Sequence, residues 1–221
     1  MGFTEALEPE AEPIWEAIHE HPMVQGIGDG SLDEAPFRHW VKQDYVYLIE
    51  YNRVFAYGAA RASSLDRIGT FAELLSETVS TEMDLHRSYA AEFGISETEL
   101  EETEPSPTTR AYTDFLVRTA ATEEFGELVA ALLPCMWGFN ETGKRLASEG
   151  LPDHEGYAEW IEMYSSAEFT ELADWCKGLM DEVAADASEA RRERYRETFV
   201  TSARYEYLFW DAAWNEEGWP V

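Results

Sequence analysis

The sequence predicts an all-α fold, a single-domain bundle of about eight helices spanning residues 1–221. Three observations carry the prediction. Apolar residues recur at helical spacing along nearly the whole chain, and no stretch alternates with the period of two that a strand requires. Gly and Pro fall at the ends of these periodic segments, where they stop helices. Finally, Leu128 to Phe139, LVAALLPCMWGF, is a run of twelve residues without a charge, an amide or a hydroxyl side chain. Between flanks rich in Glu and Asp, such a run must be the most buried segment of the fold. At 221 residues the chain can bury one substantial core.

Taken in order, residues 5–21 form an amphipathic helix with Trp15 and Ile18 on one side, ended by His21-Pro22. Gly26 to Ser31 reads as a turn-rich segment. A second helix begins near Pro36, a residue suited to the first helical turn. It runs to about Ala62 and is aromatic throughout: Trp40, Tyr45, Tyr47, Tyr51, Phe55 and Tyr57. A third covers about 64–93 and stops at Gly94, since glycine readily takes the left-handed conformation that closes a helix. The acidic stretch ISETELEETEPSP, with Pro105 and Pro107, reads as a linker. Five further helices follow, over about 108–121, 124–148, 154–164, 167–183 and 188–215. Short connections between so many helices fit a bundle.

The charge balance excludes several function classes. There are 45 acidic residues against 16 basic ones, a net charge of −29, and Lys42, Lys144 and Lys177 are the only lysines. A globular core wrapped in carboxylates suits concentrated salt, where screening weakens self-repulsion, so a halophilic source is expected. The densest basic cluster, Arg191 to Arg196, is broken by Glu193. No basic stripe is therefore available for nucleic acid or an anionic membrane. The N-terminus lacks a secretory pattern, and the longest apolar run falls short of the ~18 residues a membrane helix needs. Two cysteines make no disulfide framework, and the chain reads as cytoplasmic.

Two stripes bring carboxylates toward the core. Trp40, Asp44, Tyr47 and Tyr51 share one face of the second helix, and Phe199, Ser202, Glu206, Phe209 and Ala213 share one face of the last. A carboxylate among aromatics needs a partner or a ligand. Asp44 is thus either a structural group satisfied by Arg or by tyrosine hydroxyls, or a ligand-binding group. Burial raises a Glu pKa, which suits Glu206 to proton transfer near neutrality; a structural ion pair is the competing reading.

On the fifth helix Leu128, Ala131, Cys135, Phe139 and Thr142 share a face. Pro134 leaves the carbonyl near Ala130 without its helical donor and is expected to bend the helix. If the helix restarts there, Cys135 sits at a fresh N-terminus that favours a thiolate; otherwise a lone buried cysteine packs as an inert apolar group. A metal site has little support. The chain offers one Glu-x-x-His motif, Glu16 to His19, and the pair Glu82 and His86, where di-metal bundles need two such motifs plus further carboxylates. No metal and no cofactor is expected.

Five blocks in order resemble the TenA/thiaminase II family: FRHWVKQDYVYLIEYNRVF at 37–55, the Glu82-to-His86 segment, LLPCMWGFNETG at 132–143, WIEMYSSAEF at 160–169 and YEYLFWDAAW at 205–214. The resemblance covers nearly the whole chain and implies a haem-oxygenase-like helical bundle, usually a homotetramer. It also implies a thiamin-salvage activity, the hydrolysis of aminopyrimidines derived from thiamin, and of thiamin itself, to hydroxymethylpyrimidine. By position, Cys135 resembles the nucleophile that adds to the electron-poor pyrimidine ring, and Asp44 the carboxylate that grips a ring nitrogen and its amino group. Glu206 resembles the acid/base for the leaving group and then water. Tyr47 and Tyr112 resemble its hydroxyl partners, and Tyr164 and Phe209 the residues that position the ring. The presence of the cysteine matches the cysteine-bearing branch. One position departs: the family usually has tyrosine four residues after the cysteine, where this chain has Phe139. The alternatives are a non-catalytic pyrimidine-binding or regulatory protein of the same family, and a di-metal oxidase on the same fold.

Overall fold

The computed structural model describes residues 2–221, apart from the side chains of residues 81, 82, 84 and 85. Its regular structure is eleven α-helices and one π-helical turn, with no strand among the described residues. The helices are α1 (Phe3–His19), α2 (Pro22–Asp29), α3 (Glu34–Arg61), α4 (Leu65–Glu77), α5 (Met83–Glu92) and α6 (Glu97–Glu101), then α7 (Pro107–Thr122), α8 (Phe125–Glu149), α9 (Glu155–Ser165), α10 (Ala167–Ala185) and α11 (Glu189–Trp214).

The all-helical class is as expected, but the count of about eight is corrected to eleven, and each extra helix has a local cause. His21-Pro22, read as a stop, also starts α2. The His21 Nδ1 accepts from the Met23 N–H at 3.2 Å, and Pro22 occupies the first turn, where its missing N–H costs nothing. Gly30 closes α2 at φ 77°, so Gly26 to Ser31 is largely helix rather than turn. The stretch read as one helix over 64–93 is broken by a π-helical turn at Thr78–Glu82. Such a turn inserts an extra residue and rotates the faces that follow it. The acidic linker contains α6, built on a capping box: the Ser96 Oγ accepts from the Glu99 N–H at 3.3 Å, and the Glu99 carboxylate accepts from the Ser96 N–H at 2.9 Å.

The chain packs as two compact units, each assembled from two stretches. The first comprises Met1–Leu32 and Val129–Asp211, the second Asp33–Leu128 and Ala212–Val221.

In the first unit α1 lies on α10, where the Asp181 carboxylate accepts from the Thr4 N–H at 2.7 Å and from its hydroxyl at 3.0 Å. Trp15 of α1 meets Trp137 of α8 edge-on, with ring centroids 4.6 Å apart. Gly138 permits this approach, since a Cβ there would lie 3.1 Å from the Trp15 Nε1. The α11 helix is tied to α8 by the buried Ser202 hydroxyl, which donates to the Ala131 carbonyl at 2.7 Å.

In the second unit α4 sits on α3 through Gly58, whose bare Cα lets the Phe71 ring lie within 2.5 Å of where a Cβ would be. Gln43 of α3 clamps the start of α7. Its amide donates to the Glu104 carbonyl at 3.1 Å and accepts from the Ser106 N–H at 2.9 Å. Ser106 then caps α7 through its hydroxyl, and Pro107 opens the helix.

Candidate active site

The apolar run on α8 is as buried as its composition demands, with one exception. From Leu128 to Phe139 every residue is buried save Cys135, which retains partial exposure. Pro134 lies inside α8 without ending it: the helix is continuous from Phe125 to Glu149. The expectation of a restarted helix, with Cys135 at its N-terminus, is therefore corrected. The thiol sits mid-helix, where the backbone N–H groups are engaged along the chain and offer no terminal charge. The second thiol is different in kind. Cys176 on α10 is fully enclosed, and burial pushes it up to about 12, so it stays protonated.

One turn beyond Cys135, Phe139 forms the centre of an aromatic group. Its ring lies 4.9 Å from Tyr164, 5.4 Å from Trp210 and 6.1 Å from Trp160. Tyr164 lies in the last turn of α9, half-buried, with Phe169 of α10 edge-on at 5.0 Å. Two features of the NETG segment hold it there. The buried Asn140 amide donates to the Tyr164 carbonyl at 2.9 Å and to the Thr170 hydroxyl at 3.1 Å. Gly143 lets the backbone of Tyr164 approach within 2.7 Å of where a Cβ would stand. A larger residue there would push α9 away.

On α11 the predicted stripe is buried throughout: Phe199, Ser202, Glu206, Phe209 and Ala213. Glu206 lies one turn beyond Ser202, whose bond to Ala131 fixes the register of α11 against α8. The first unit thus carries Cys135, Phe139, Tyr164, Glu206 and Phe209.

The second unit carries Asp44, Tyr47 and Tyr112, all buried. The Tyr47 ring lies between Tyr51 at 5.2 Å and Tyr112 at 5.3 Å, an aromatic ladder joining α3 to α7. The Gln43 clamp positions α7 for this contact, and the sequence reading missed it. Its signal was available: an amide beside a core-facing stripe needs partners.

Asp44 has a neighbour of a different kind. The Asp44 Oδ2 lies 3.8 Å from the His86 Nδ1, while the His86 Nε2 stands 3.0 Å from the Val41 carbonyl. Burial pushes His86 below the ordinary histidine range, opposed in part by the bond to Val41, so the ring is neutral near pH 7. Glu82, paired with His86 in the sequence reading, lies outside the described side chains.

The other Glu-x-x-His motif is engaged elsewhere. Glu16 meets Arg145 at 2.6 Å, and the His19 Nε2 faces Glu149 at 3.3 Å. Among the described residues no three His, Cys, Asp or Glu side chains group as metal ligands would.

Comparison with known proteins gives a consistent picture. Residues 8–216 match the family model described as the TENA/THI-4/PQQC family. An aminopyrimidine aminohydrolase from Halalkalibacterium halodurans is 46% identical over 220 residues, covering 99% of this chain and 98% of that relative. A solved TenA homologue from P. horikoshii OT3 superposes with a TM-score of 0.90 at 28% identity, over 97% of this chain and 99% of that one. A domain from Shewanella denitrificans with a haem-oxygenase-like fold matches with a TM-score of 0.73 at 14% identity, over 96% of this chain and 92% of that one, which bears on the fold alone.

Proposed function

The chain belongs to the TENA/THI-4/PQQC family, and on that premise we propose that it is a thiamin-salvage hydrolase, an aminopyrimidine aminohydrolase of the thiaminase II type. It converts aminopyrimidine breakdown products of thiamin, and thiamin itself, to hydroxymethylpyrimidine. The observation that carries the reading is the partial exposure of Cys135 within an otherwise enclosed run. A packing cysteine would be as enclosed as Cys176; a nucleophile must be reachable.

In the proposed mechanism the sulfur of Cys135 adds to the electron-poor pyrimidine ring, and a ring nitrogen held by Asp44 takes up a proton. The electron pair then expels the amine (or the thiazole of thiamin), protonated by Glu206. Water adds to the exocyclic carbon, giving its proton to Glu206, and departure of the sulfur restores the ring. Tyr47 and Tyr112 serve as substrate-binding residues. Phe139, Tyr164 and Phe209 provide the flat walls that an aromatic ring requires. The reaction needs no cofactor and no metal.

We further propose a cytoplasmic homotetramer from a halophile. Among the described residues no helix is long and apolar enough to cross a membrane. Ile49, Tyr57, Leu65 and Ile68 leave apolar surface exposed on α3 and α4, which a second copy would cover. Light scattering at a mass of one chain, 25.2 kDa, would rule out that assembly.

Turnover decides the central claim. The protein is expected to convert aminomethylpyrimidine to hydroxymethylpyrimidine at high salt. Cys135→Ser and Glu206→Gln are each expected to lower kcat by roughly 10²–10⁴-fold, with unchanged circular dichroism. Wild-type protein that consumes neither aminomethylpyrimidine nor thiamin would sink the hydrolase reading, and full activity in both variants would sink the mechanism.

A further inference from the structure

The start of α7 is held by side chains from two distant parts of the chain. A helix leaves the N–H groups of its first four positions without partners on the helix itself. In α7 those positions are Ser106, Pro107, Thr108 and Thr109. Pro107 has no N–H, and the Thr109 N–H is taken by the Ser106 hydroxyl at 3.2 Å. The Ser106 N–H goes to Gln43 of α3 at 2.9 Å. The remaining donor, the Thr108 N–H, goes to the Glu217 carboxylate at 2.9 Å, and the Thr108 hydroxyl donates to its other oxygen at 3.1 Å. Glu217 thus completes the cap from 109 positions away in the sequence. A negative charge is favoured at that end of a helix.

The segment that carries Glu217 is shaped for this contact. Past Trp214 the chain closes α11 with two backbone bonds: the Glu216 N–H donates to the Ala213 carbonyl at 3.1 Å, and the Glu217 N–H to the Ala212 carbonyl at 2.8 Å. Such a closure requires a residue in the left-handed conformation, usually glycine. Here it is Glu216, at φ 46°, the single non-glycine residue with positive φ among the described residues. A side chain seldom holds this conformation unless its surroundings impose it. The turn delivers Glu217 to Thr108 and brings Trp219 to the same connection, where the indole N–H donates to the Pro105 carbonyl at 3.0 Å.

Tyr112 lies one turn beyond Thr108 on α7, with its ring 5.3 Å from that of Tyr47. Residues three and four apart stand above one another on a helix, so a displaced first turn is passed on to the Tyr112 ring. We propose that Glu217 is a positioning residue for substrate binding: it acts through the first turn of α7 to set the place of Tyr112. The proposal rests on the substrate-binding role given to Tyr112 above and deepens it.

Full-length variants test it. In Glu217→Ala the Thr108 N–H loses its acceptor; KM for aminomethylpyrimidine is expected to rise about fivefold or more, with kcat within about twofold of wild type. In Glu217→Gln an amide oxygen can still accept from Thr108, so KM is expected to return most of the way. A merely structural loss would lower the folded fraction, and kcat with it, while leaving KM alone. Combined with Tyr112→Phe, Glu217→Ala is expected to cost less than the product of the two single effects, as coupled residues do. Wild-type KM in Glu217→Ala, or plain multiplication of the two effects, would overturn the proposal. NMR of isotope-labelled tyrosine reads the same coupling without turnover. The Tyr112 ring signal is expected to move in Glu217→Ala and to stay near its wild-type place in Glu217→Gln; an unmoved signal in Glu217→Ala would overturn the proposal. Should Glu217→Ala fail to fold, amide exchange in the wild-type protein decides. The Thr108 N–H is expected to exchange far more slowly than in an unstructured chain, and unprotected exchange would overturn the proposal. Since the labelled spectra and the exchange need no turnover, a failed assay with wild-type protein would count against the hydrolase reading alone.

Discussion

Phe139 stands where the resemblance calls for tyrosine, and its surroundings set what the difference costs. The ring is buried against Tyr164, Trp160 and Trp210, so the aromatic wall is intact and only a hydroxyl is missing. A neutral hydrogen bond to substrate is worth about 0.5–1.5 kcal/mol net, a factor of roughly 2 to 10. Phe139→Tyr is therefore expected to change the ratio of kcat/KM values for aminomethylpyrimidine and thiamin by a factor in that range, while leaving the reaction class alone. A tenfold or larger loss with both substrates would instead mean that the hydroxyl cannot be accommodated. The other residues divide by what a sequence can reveal. Core-facing carboxylates at Asp44 and Glu206 follow from helical spacing, because a stripe of aromatics fixes which way the face turns. The accessibility of Cys135 does not, since its neighbours on every side in the sequence are apolar and the same pattern describes an inert core thiol. Asn140 and Gly143 follow the apolar run directly, yet their bond and close approach to Tyr164 depend on where α9 ends, which no local pattern specifies.

Helix ends supply the next level, and α2 shows how one histidine can tie an element to pH. His21 caps α2 by accepting from the Met23 N–H through Nδ1, and its Nε2 lies 3.6 Å from the Asp211 carboxylate on α11. Burial pushes its pKa below the ordinary value, with the Asp211 carboxylate opposing in part. A cap that works through a lone pair is lost on protonation. Because the folded-state pKa is depressed, the unfolded chain binds the proton more readily. The stabilisation is complete above the unfolded histidine value of about 6.5 and is lost as the pH falls below it toward the lowered folded value. His21→Asn retains a capping side chain without a titrating group, worth about 1 kcal/mol as a cap. Thermal melts between pH 7.5 and 5 are expected to fall less steeply in this variant than in wild type; identical slopes would mean that the His21 cap contributes nothing to acid sensitivity. The same helix shows why the count rose from about eight to eleven. His21-Pro22 and SETE are start signals that a search for long periodic segments passes over, because α2 and α6 are too short to establish a period. The π-helical turn at Thr78–Glu82 has no composition of its own, so the flanking periodicity reads as one helix. The long helices were legible because each carries several turns of consistent pattern.

For the whole molecule the governing quantity is the net charge of −29, carried by 45 acidic residues against 16 basic ones. Several cations that are present are committed within the structure. Arg145 pairs with Glu16, Arg196 with Glu10 and Lys177 with Asp174, which leaves the excess carboxylates to repel one another across the surface. Exposed pairs of this kind contribute only about 0–1 kcal/mol each and weaken in salt. Their loss on adding salt is small beside the relief of the general repulsion, which is summed over all the unbalanced charge. The screening length falls from about 10 Å at 0.1 M to about 3 Å at 1 M salt, shorter than the spacing between most surface carboxylates. The melting temperature is therefore expected to rise by several degrees between 0.1 and 2 M KCl, most steeply over the first molar, with turnover of aminomethylpyrimidine rising in parallel. Sucrose strengthens apolar burial without screening charge, so it serves as the control: a rise in KCl that sucrose does not reproduce assigns the effect to the carboxylate shell. A melting temperature that is flat or falling over that range in KCl would contradict the halophilic reading, and the acidic surface would then serve solubility alone.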